Sequence, residues 1–336
     1  MTGKSTDFSA ELSERRDLVE LHNHLSTSTS AHMLWQIAHE QGIRLPTKKY
    51  DDFIDVVQLK GKTSPERYHE YFDLIQMIQS SPLAIERSVH EAVSLSYRKS
   101  GIGLLEVKFN PMKRNRKGLF DLDRIMFNAY VGMRRAMMEY PIQVGLIIEA
   151  DARMTMQENE IIINKAIDFK NDGVVGIDIS GLIHKEFSFK PFKPLYEKAK
   201  AAGLGTTVHC GELGGADQVW EAINELEPDR IGHGIRSIDD PKLLKELKKR
   251  GVVLEICPTS NVLIGAVKDW FEMGTTIRKI ADSEVKFTIC ADNPVLLQTN
   301  LLNELLEVYS RDILSMEEIE TTIETARANS FIKLTN

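Results

Sequence analysis

Three cysteines in 336 residues are too few, and odd in number, to build a disulfide framework. Such sparing use fits a reducing compartment, so a cytoplasmic location is expected. No run of about 18 apolar residues occurs, and no transmembrane helix is expected. The N-terminal stretch MTGKSTDFSAELSERRD lacks the apolar centre of a signal peptide. Neither sign of charge dominates: Lys+Arg number 42, Asp+Glu 49, and the formal net charge is -7. A mildly acidic chain offers no broad basic surface, so neither nucleic acid nor membrane is expected as a partner. Low-complexity tracts, Pro/Gly/Ser-rich linkers and short repeats are missing too. With 42% hydrophobic and 27% charged residues the composition is that of a globular protein. The length suits one large α/β domain, expected to span 1–336.

What the chain does contain is a rhythm of short apolar runs alternating with helical patterns. Eight such runs stand out. They are LVELHNHL from Leu18, IGLLEVKFN from Ile102, IQVGLIIEA from Ile142 and VVGIDISG from Val174. LGTTVHCGE from Leu204, DRIGHGI from Asp229, VVLEICPTS from Val252 and VKFTICADNP from Val285 follow. Between them lie segments such as KPLYEKAKAAG and DPKLLKELKKRG, each closed by a glycine (Gly203, Gly251) where a helix can terminate. Strand–helix alternation predicts a parallel sheet, and eight units predict a closed (β/α)8 barrel, of about 250 residues before insertions. The surplus length falls mainly between the first two runs. A helical insertion over about 27–100 is therefore expected, covering the barrel mouth.

Polar residues gather at the ends of these runs: His22, His24, Glu106, Asp178, His209, Glu212, His233 and Asp292. In a (β/α)8 barrel the C-terminal strand ends converge on one face, where active sites form. His22 and His24 stand two apart, so on a strand both imidazoles share a face and can grip one ion. Three histidines with the carboxylate of Asp292 make a donor set suited to Zn2+. Cys210, Cys257 and Cys290 are competing soft ligands. Cys210 directly follows His209 and should face away from it, while Cys257 and Cys290 read as small core residues.

Taken in order and spacing, LVELHNHL, TVHCGE, DRIGHGI, LEICPTSN and TICADNP resemble the adenosine/AMP deaminase family of the amidohydrolase superfamily. The resemblance runs from about residue 17 to 332. It implies the same barrel fold, and one zinc ion per chain bound by His22, His24, His209 and Asp292. It implies that Glu212 is the acid that protonates the purine ring, with His233 and Asp292 handling the proton of the attacking water. Gly181 matches a glycine whose backbone contacts the purine, and Tyr68 and Phe72 match aromatic positions that close over the substrate. The implied reaction is hydrolytic deamination of a 6-aminopurine nucleoside, adenosine or deoxyadenosine, with release of ammonia. The implied partner is thus a small purine nucleoside or nucleotide, the oligomeric state being left open. The cytidine-type zinc deaminases carry P-C-x-x-C, which is absent here.

Several positions depart from the family pattern. His-x-His is usually followed by Leu-Asp-Gly, whereas here it is followed by Leu25-Ser26-Thr27. The family's aspartate helps to hold the sugar end of the substrate, so Ser26 changes that contact. The last motif ends Asp292-Asn293-Pro294 where a second aspartate is usual. An asparagine amide donates a hydrogen bond without needing protonation, so Asn293 can still recognise the purine. Lys108 replaces a common arginine. A basic run follows the second strand, with Lys113, Arg114, Arg116 and Lys117. It reads either as a solvated loop or as a phosphate clamp, since arginine suits bidentate phosphate contacts. The alternative substrate is accordingly an N6-substituted or 5′-phosphorylated adenine nucleotide such as N6-methyl-AMP. Two further readings are a different amidohydrolase reaction and a non-catalytic ligand-binding barrel. The first is disfavoured by the lack of a bridging lysine in VVGIDISG, and the second by the complete set of ligands and acid. His32, His39, His69, His90 and His184 fall outside the motifs and read as surface or core residues.

Overall fold

The computed structural model describes residues 2–115 and 121–333. Its strands are β1 (Leu18–His24), β2 (Ile102–Phe109), β3 (Gln143–Asp151), β4 (Val174–Ser180), β5 (Gly205–Thr206), β6 (His209–Cys210), β7 (Arg230–His233), β8 (Val253–Ile256) and β9 (Phe287–Ile289). All neighbouring pairs are parallel, in two ladders ordered β1-β2-β3-β4-β5 and β6-β7-β8-β9. Each strand except β5 is followed by at least one helix, as parallel crossovers require. The architecture is the (β/α)8 barrel expected from the alternation.

The fifth expected strand is divided. β5 and β6 are its two halves, separated at Thr207 and Val208. Main-chain bonds still cross this seam: Thr207 N donates to Ile177 O at 3.0 Å and Gly232 N to Val208 O at 2.9 Å. At the other seam Asn23 and Asp292 form a parallel bridge. There Asp292 N donates to His22 O at 2.9 Å and His24 N to Asp292 O at 3.0 Å. The closing bonds of the ring are therefore made by the residues that carry the candidate ligands.

Between β1 and β2 lie the helices Ala31–Glu40, Tyr50–Val57, Pro65–Ile78 and Pro82–Ser100. Their starts follow from local chemistry. The hydroxyls of Ser30, Ser64 and Ser81 each accept an otherwise orphaned N–H of the first turn, and Pro65 and Pro82 sit where no donor is needed. Helix Pro65–Ile78 buries Tyr68, Phe72, Ile75 and Ile78, the three-and-four spacing of one helical face. Ile75 and Ile78 anchor in a small apolar cluster with Leu34, Ile37, Phe53 and Val57. Tyr68 and Phe72 extend into the main core at the barrel mouth. One face thus ties the inserted helices to the barrel and presents two aromatic rings there. Of the basic run, Arg116 and Lys117 lie outside the described residues.

Candidate active site

The strand ends bring the expected histidines together. The ligating atoms of His22, His24 and His209 all lie within 4.8 Å of one another. His24 Nε2 is 3.2 Å from His209 Nε2 and 3.3 Å from Asp292 Oδ1, and His22 Nε2 is 3.5 Å from the same oxygen. All four residues are buried. Asp292 and His233 adopt left-handed backbone conformations, each with φ of 62°. Non-glycine residues rarely do so, and such strain concentrates at functional sites.

Each histidine turns its other nitrogen to a buried carboxylate. His22 Nδ1 is 2.6 Å from Glu255 Oε2, His24 Nδ1 is 2.8 Å from Glu149 Oε1, and His209 Nδ1 is 3.1 Å from Asp178 Oδ2. The His24–Glu149 contact is off-axis for a hydrogen bond. A carboxylate on Nδ1 draws the ring proton there and leaves a lone pair at Nε2. Three imidazole lone pairs and one carboxylate oxygen then face the same small space. They repel one another unless a cation lies between them. His22 Nε2 is moreover buried without a hydrogen-bond partner. An orphaned ring nitrogen within a nitrogen and oxygen donor set is what a Zn2+ site requires.

Beneath this set runs a chain of buried charges. Lys108 Nζ donates to Asp178 Oδ2 at 2.9 Å and to Glu255 Oε2 at 2.8 Å, so one ammonium holds the partners of both His209 and His22. Glu255 Oε1 in turn accepts from Arg230 Nε at 2.7 Å. Glu106 belongs to this lower layer, contrary to its expected place among the residues facing the mouth. It accepts from Arg230 Nη2 at 2.5 Å and from Phe331 N at 2.6 Å. The physical reason is depth: Glu106 lies two residues before Lys108 along β2. These positions share a face but differ by about 7 Å along the strand.

Glu212 and His233 stand together on the cavity wall. Asn261 Nδ2 donates to Glu212 Oε1 at 3.0 Å and approaches His233 Nδ1 at 3.1 Å. Glu212 Oε1 is 3.3 Å from His233 Nδ1. Burial, reinforced by the negative charge of Asp292, pushes the Glu212 carboxyl up to about 8. A carboxylic acid that keeps its proton at neutral pH is suited to general acid catalysis. Burial and the nearby His22 hold His233 well below the usual histidine range.

An open cavity lies above these groups, concave and lined by apolar and polar side chains as small-molecule sites are. Ser26, Tyr68, Phe72, Gly181 and Asn293 all line it, together with His24, His209, Glu212, His233 and Asp292. Tyr68 and Phe72 are 6% and 9% exposed, and Phe72 meets the His24 ring edge-on at 6.3 Å. Gly181 has φ of 96°, and a Cβ there would lie 2.8 Å from Asp151 Oδ1, so both conformation and space demand glycine. Asn293 Oδ1 accepts from Thr27 Oγ1 at 2.6 Å, and its Nδ2 donates to Tyr68 Oη at 2.6 Å. This orients the amide and leaves its second N–H available. Ser26 Oγ accepts from Arg114 Nη2 at 2.7 Å.

Reasoning from sequence missed the orienting carboxylates Glu149 and Glu255 and the bridging amide Asn261. A signal was present for the first two, since each is a lone charge inside an apolar run, LIIEA and VVLEI. His69, read as an ordinary surface or core residue, lines the cavity beside Tyr68 and Phe72. Burial, with the charge of Arg153, lowers it to about 4. Of the cysteines, Cys257 and Cys290 pack with Val19, Leu21 and Leu104. Burial raises the Cys257 thiol well above its ordinary range, although it lies within 4.8 Å of ligating atoms of His22, His233 and Asp292.

Comparison with known proteins bears on family and fold. An adenosine deaminase from Vibrio vulnificus (strain YJ016) is 30% identical over 292 residues, covering 86% of each chain. Among solved structures, a zinc-bound amidohydrolase from Burkholderia ambifaria superposes with a TM-score of 0.85 at 21% identity, over 99% of this chain and 89% of that one. The N6-mAMP deaminase of Arabidopsis superposes with a TM-score of 0.81 at 24% identity, over 97% of this chain and 96% of that one. These two likenesses bear on the fold. The family model for adenosine deaminase matches residues 18–335, and the chain belongs to that family.

Proposed function

We propose that this protein hydrolyses the 6-amino group of an adenine nucleoside or nucleotide, with one zinc ion held by His22, His24, His209 and Asp292. The observation that carries the reading is the meeting of converging Nε2 atoms with a protonated Glu212 on one cavity wall. A zinc ion in that donor set supplies Lewis acidity that lowers the pKa of water towards about 7. The zinc-bound Burkholderia structure supports this choice of metal.

The remaining work falls to the protein. Gly181 and the free N–H of Asn293 orient the purine, while Tyr68 and Phe72 shield it from bulk water. Glu212 gives its proton to the ring nitrogen beside C6, so the ring accepts the electron pair displaced as the water oxygen bonds to C6. His233, its Nδ1 engaged by Asn261, uses Nε2 to carry one water proton to the amine, with Asp292 orienting that water. The C6–N bond breaks and ammonia leaves. The second water proton returns to Glu212 as the 6-oxo group forms, which restores the acid. General acid–base transfer of this kind contributes about two to four powers of ten.

The test is ammonia release from adenosine and AMP by purified, metal-analysed protein. Turnover that disappears on chelation and returns with zinc is expected. A zinc-loaded protein inert towards every aminopurine overturns the reading.

A further inference from the structure

The site contains a polarity that the family resemblance does not predict. Ser26 lines the cavity, and its Oγ is approached by two groups that can only donate: Arg114 Nη2 at 2.7 Å and Gln76 Nε2 at 3.4 Å. A hydroxyl has two lone pairs and one proton. With both lone pairs turned to Arg114 and Gln76, the O–H is what remains for a ligand, and it has no acceptor among the described residues. The aspartate that the family usually carries here offers the reverse, an acceptor for a sugar hydroxyl.

Arg114 is itself unusual. It is 1% exposed, yet among the described residues no carboxylate lies within ion-pair distance of it, Glu149 acting only through its charge, and its Nε and Nη1 have no hydrogen-bond partner. A buried cation whose one hydrogen bond goes to a neutral hydroxyl is costly, so its retention calls for a reason outside folding. Lys113 and Arg153 line the same cavity and both pair with Asp151. Arg153 also reaches Asp73 at 4.0 Å, and with Arg114 behind Ser26 three cations gather at this end of the cavity. The Ser26 O–H and these cations favour a group that accepts hydrogen bonds and carries negative charge, offsetting the Asp151 and Glu149 carboxylates in the same lining.

The geometry points to Ser26 and Arg114 as specificity-determining residues that select a 5′-phosphorylated 6-aminopurine nucleotide over the free nucleoside. This rests on the deaminase reading and adds the class of substrate to it. Ser26 touches the phosphoryl oxygen through its O–H, and Arg114 acts as a positioning residue that fixes the direction of that O–H and adds its charge from behind.

The experiment compares kcat/KM for AMP and adenosine in the zinc-loaded protein, alongside calorimetric binding of IMP and inosine. An AMP preference of at least about tenfold, equivalent to about 1.4 kcal/mol, is expected. Ser26→Asp should reverse the preference, because it replaces a donor with an anionic acceptor. Arg114→Met should lower the AMP-to-adenosine ratio through KM, while Tm stays level or rises because a buried charge with no carboxylate hydrogen bond has been removed. Arg114→Lys should restore part of the ratio. A wild-type preference for adenosine or free adenine, or a Ser26→Asp ratio equal to wild type, overturns the inference. The binding arm separates the two readings. Tighter binding of IMP than of inosine by a protein that deaminates nothing upholds the phosphate selectivity while the deaminase reading falls, and equal binding overturns it.

Discussion

Replacing Glu212 by glutamine exchanges an acidic O–H for a non-acidic NH2 and changes almost nothing else. The amide oxygen of the new side chain can still accept from Asn261 Nδ2, which lies 3.0 Å from Glu212 Oε1. Volume is conserved, and Glu212 is not among the four groups placed around the metal, so zinc content should be unchanged. What disappears is an acid poised at about 8 by burial and by Asp292. A carboxamide has no proton to release in the accessible pH range. The expected fall in kcat is about 10²- to 10⁴-fold, or about 2.7–5.5 kcal/mol of transition-state stabilisation, with a much smaller change in KM. In wild type the active form is the protonated one, so kcat should decline as pH rises through the acid's pKa. A bound cation favours the carboxylate, which places that decline at or below about pH 8. Initial rates of ammonia release across pH, on samples of measured zinc content, decide the matter. A glutamine variant within threefold of wild-type kcat would refute the assignment of Glu212 as the acid.

Two further outcomes follow from the buried carboxylates. Glu149→Gln takes the negative charge away from His24 Nδ1, 2.8 Å distant, and should weaken zinc affinity about 10- to 100-fold in a chelator competition; unchanged affinity would show that the carboxylate does not tune the ligand. Glu304 is 1% exposed and accepts from Thr299 Oγ1 and Thr259 N, and burial raises it to about 7 from an ordinary 4.5. Its raised pKa contributes stability that is complete below about 4.5 and lost as pH rises through about 7, up to about 3 kcal/mol. Denaturant unfolding at pH 5 and pH 8 should therefore show a smaller drop in Glu304→Gln than in wild type, and an equal drop would contradict the shift.

What is legible in the sequence follows from two short-range regularities. The period of two along a strand places His22 and His24 on one face by spacing alone. Strand–helix alternation makes the ends of distant runs neighbours, so residues from His22 to Asp292 assemble from the pattern of the chain. The same regularities are blind to depth and to pairing across the barrel. Glu106 and Lys108 share a face of β2, yet one serves the ion pairs at the lower layer and the other sits against the partners of His22 and His209. Glu149 and Glu255 acquire their roles only through contacts 125 and 233 positions away in sequence, with His24 and His22.

Ser26 shows the same limit at the substrate end. Its identity alone reads as the loss of a sugar-binding carboxylate. Arg114, 88 positions onward, turns that loss into a directed donor. The character of a hydroxyl is set by which neighbours claim its lone pairs, and those neighbours are fixed by the fold rather than by the motif. Specificity in this barrel is therefore written one contact behind the cavity wall. Substitutions at Arg114 should change which substrates are chosen without touching any atom of them.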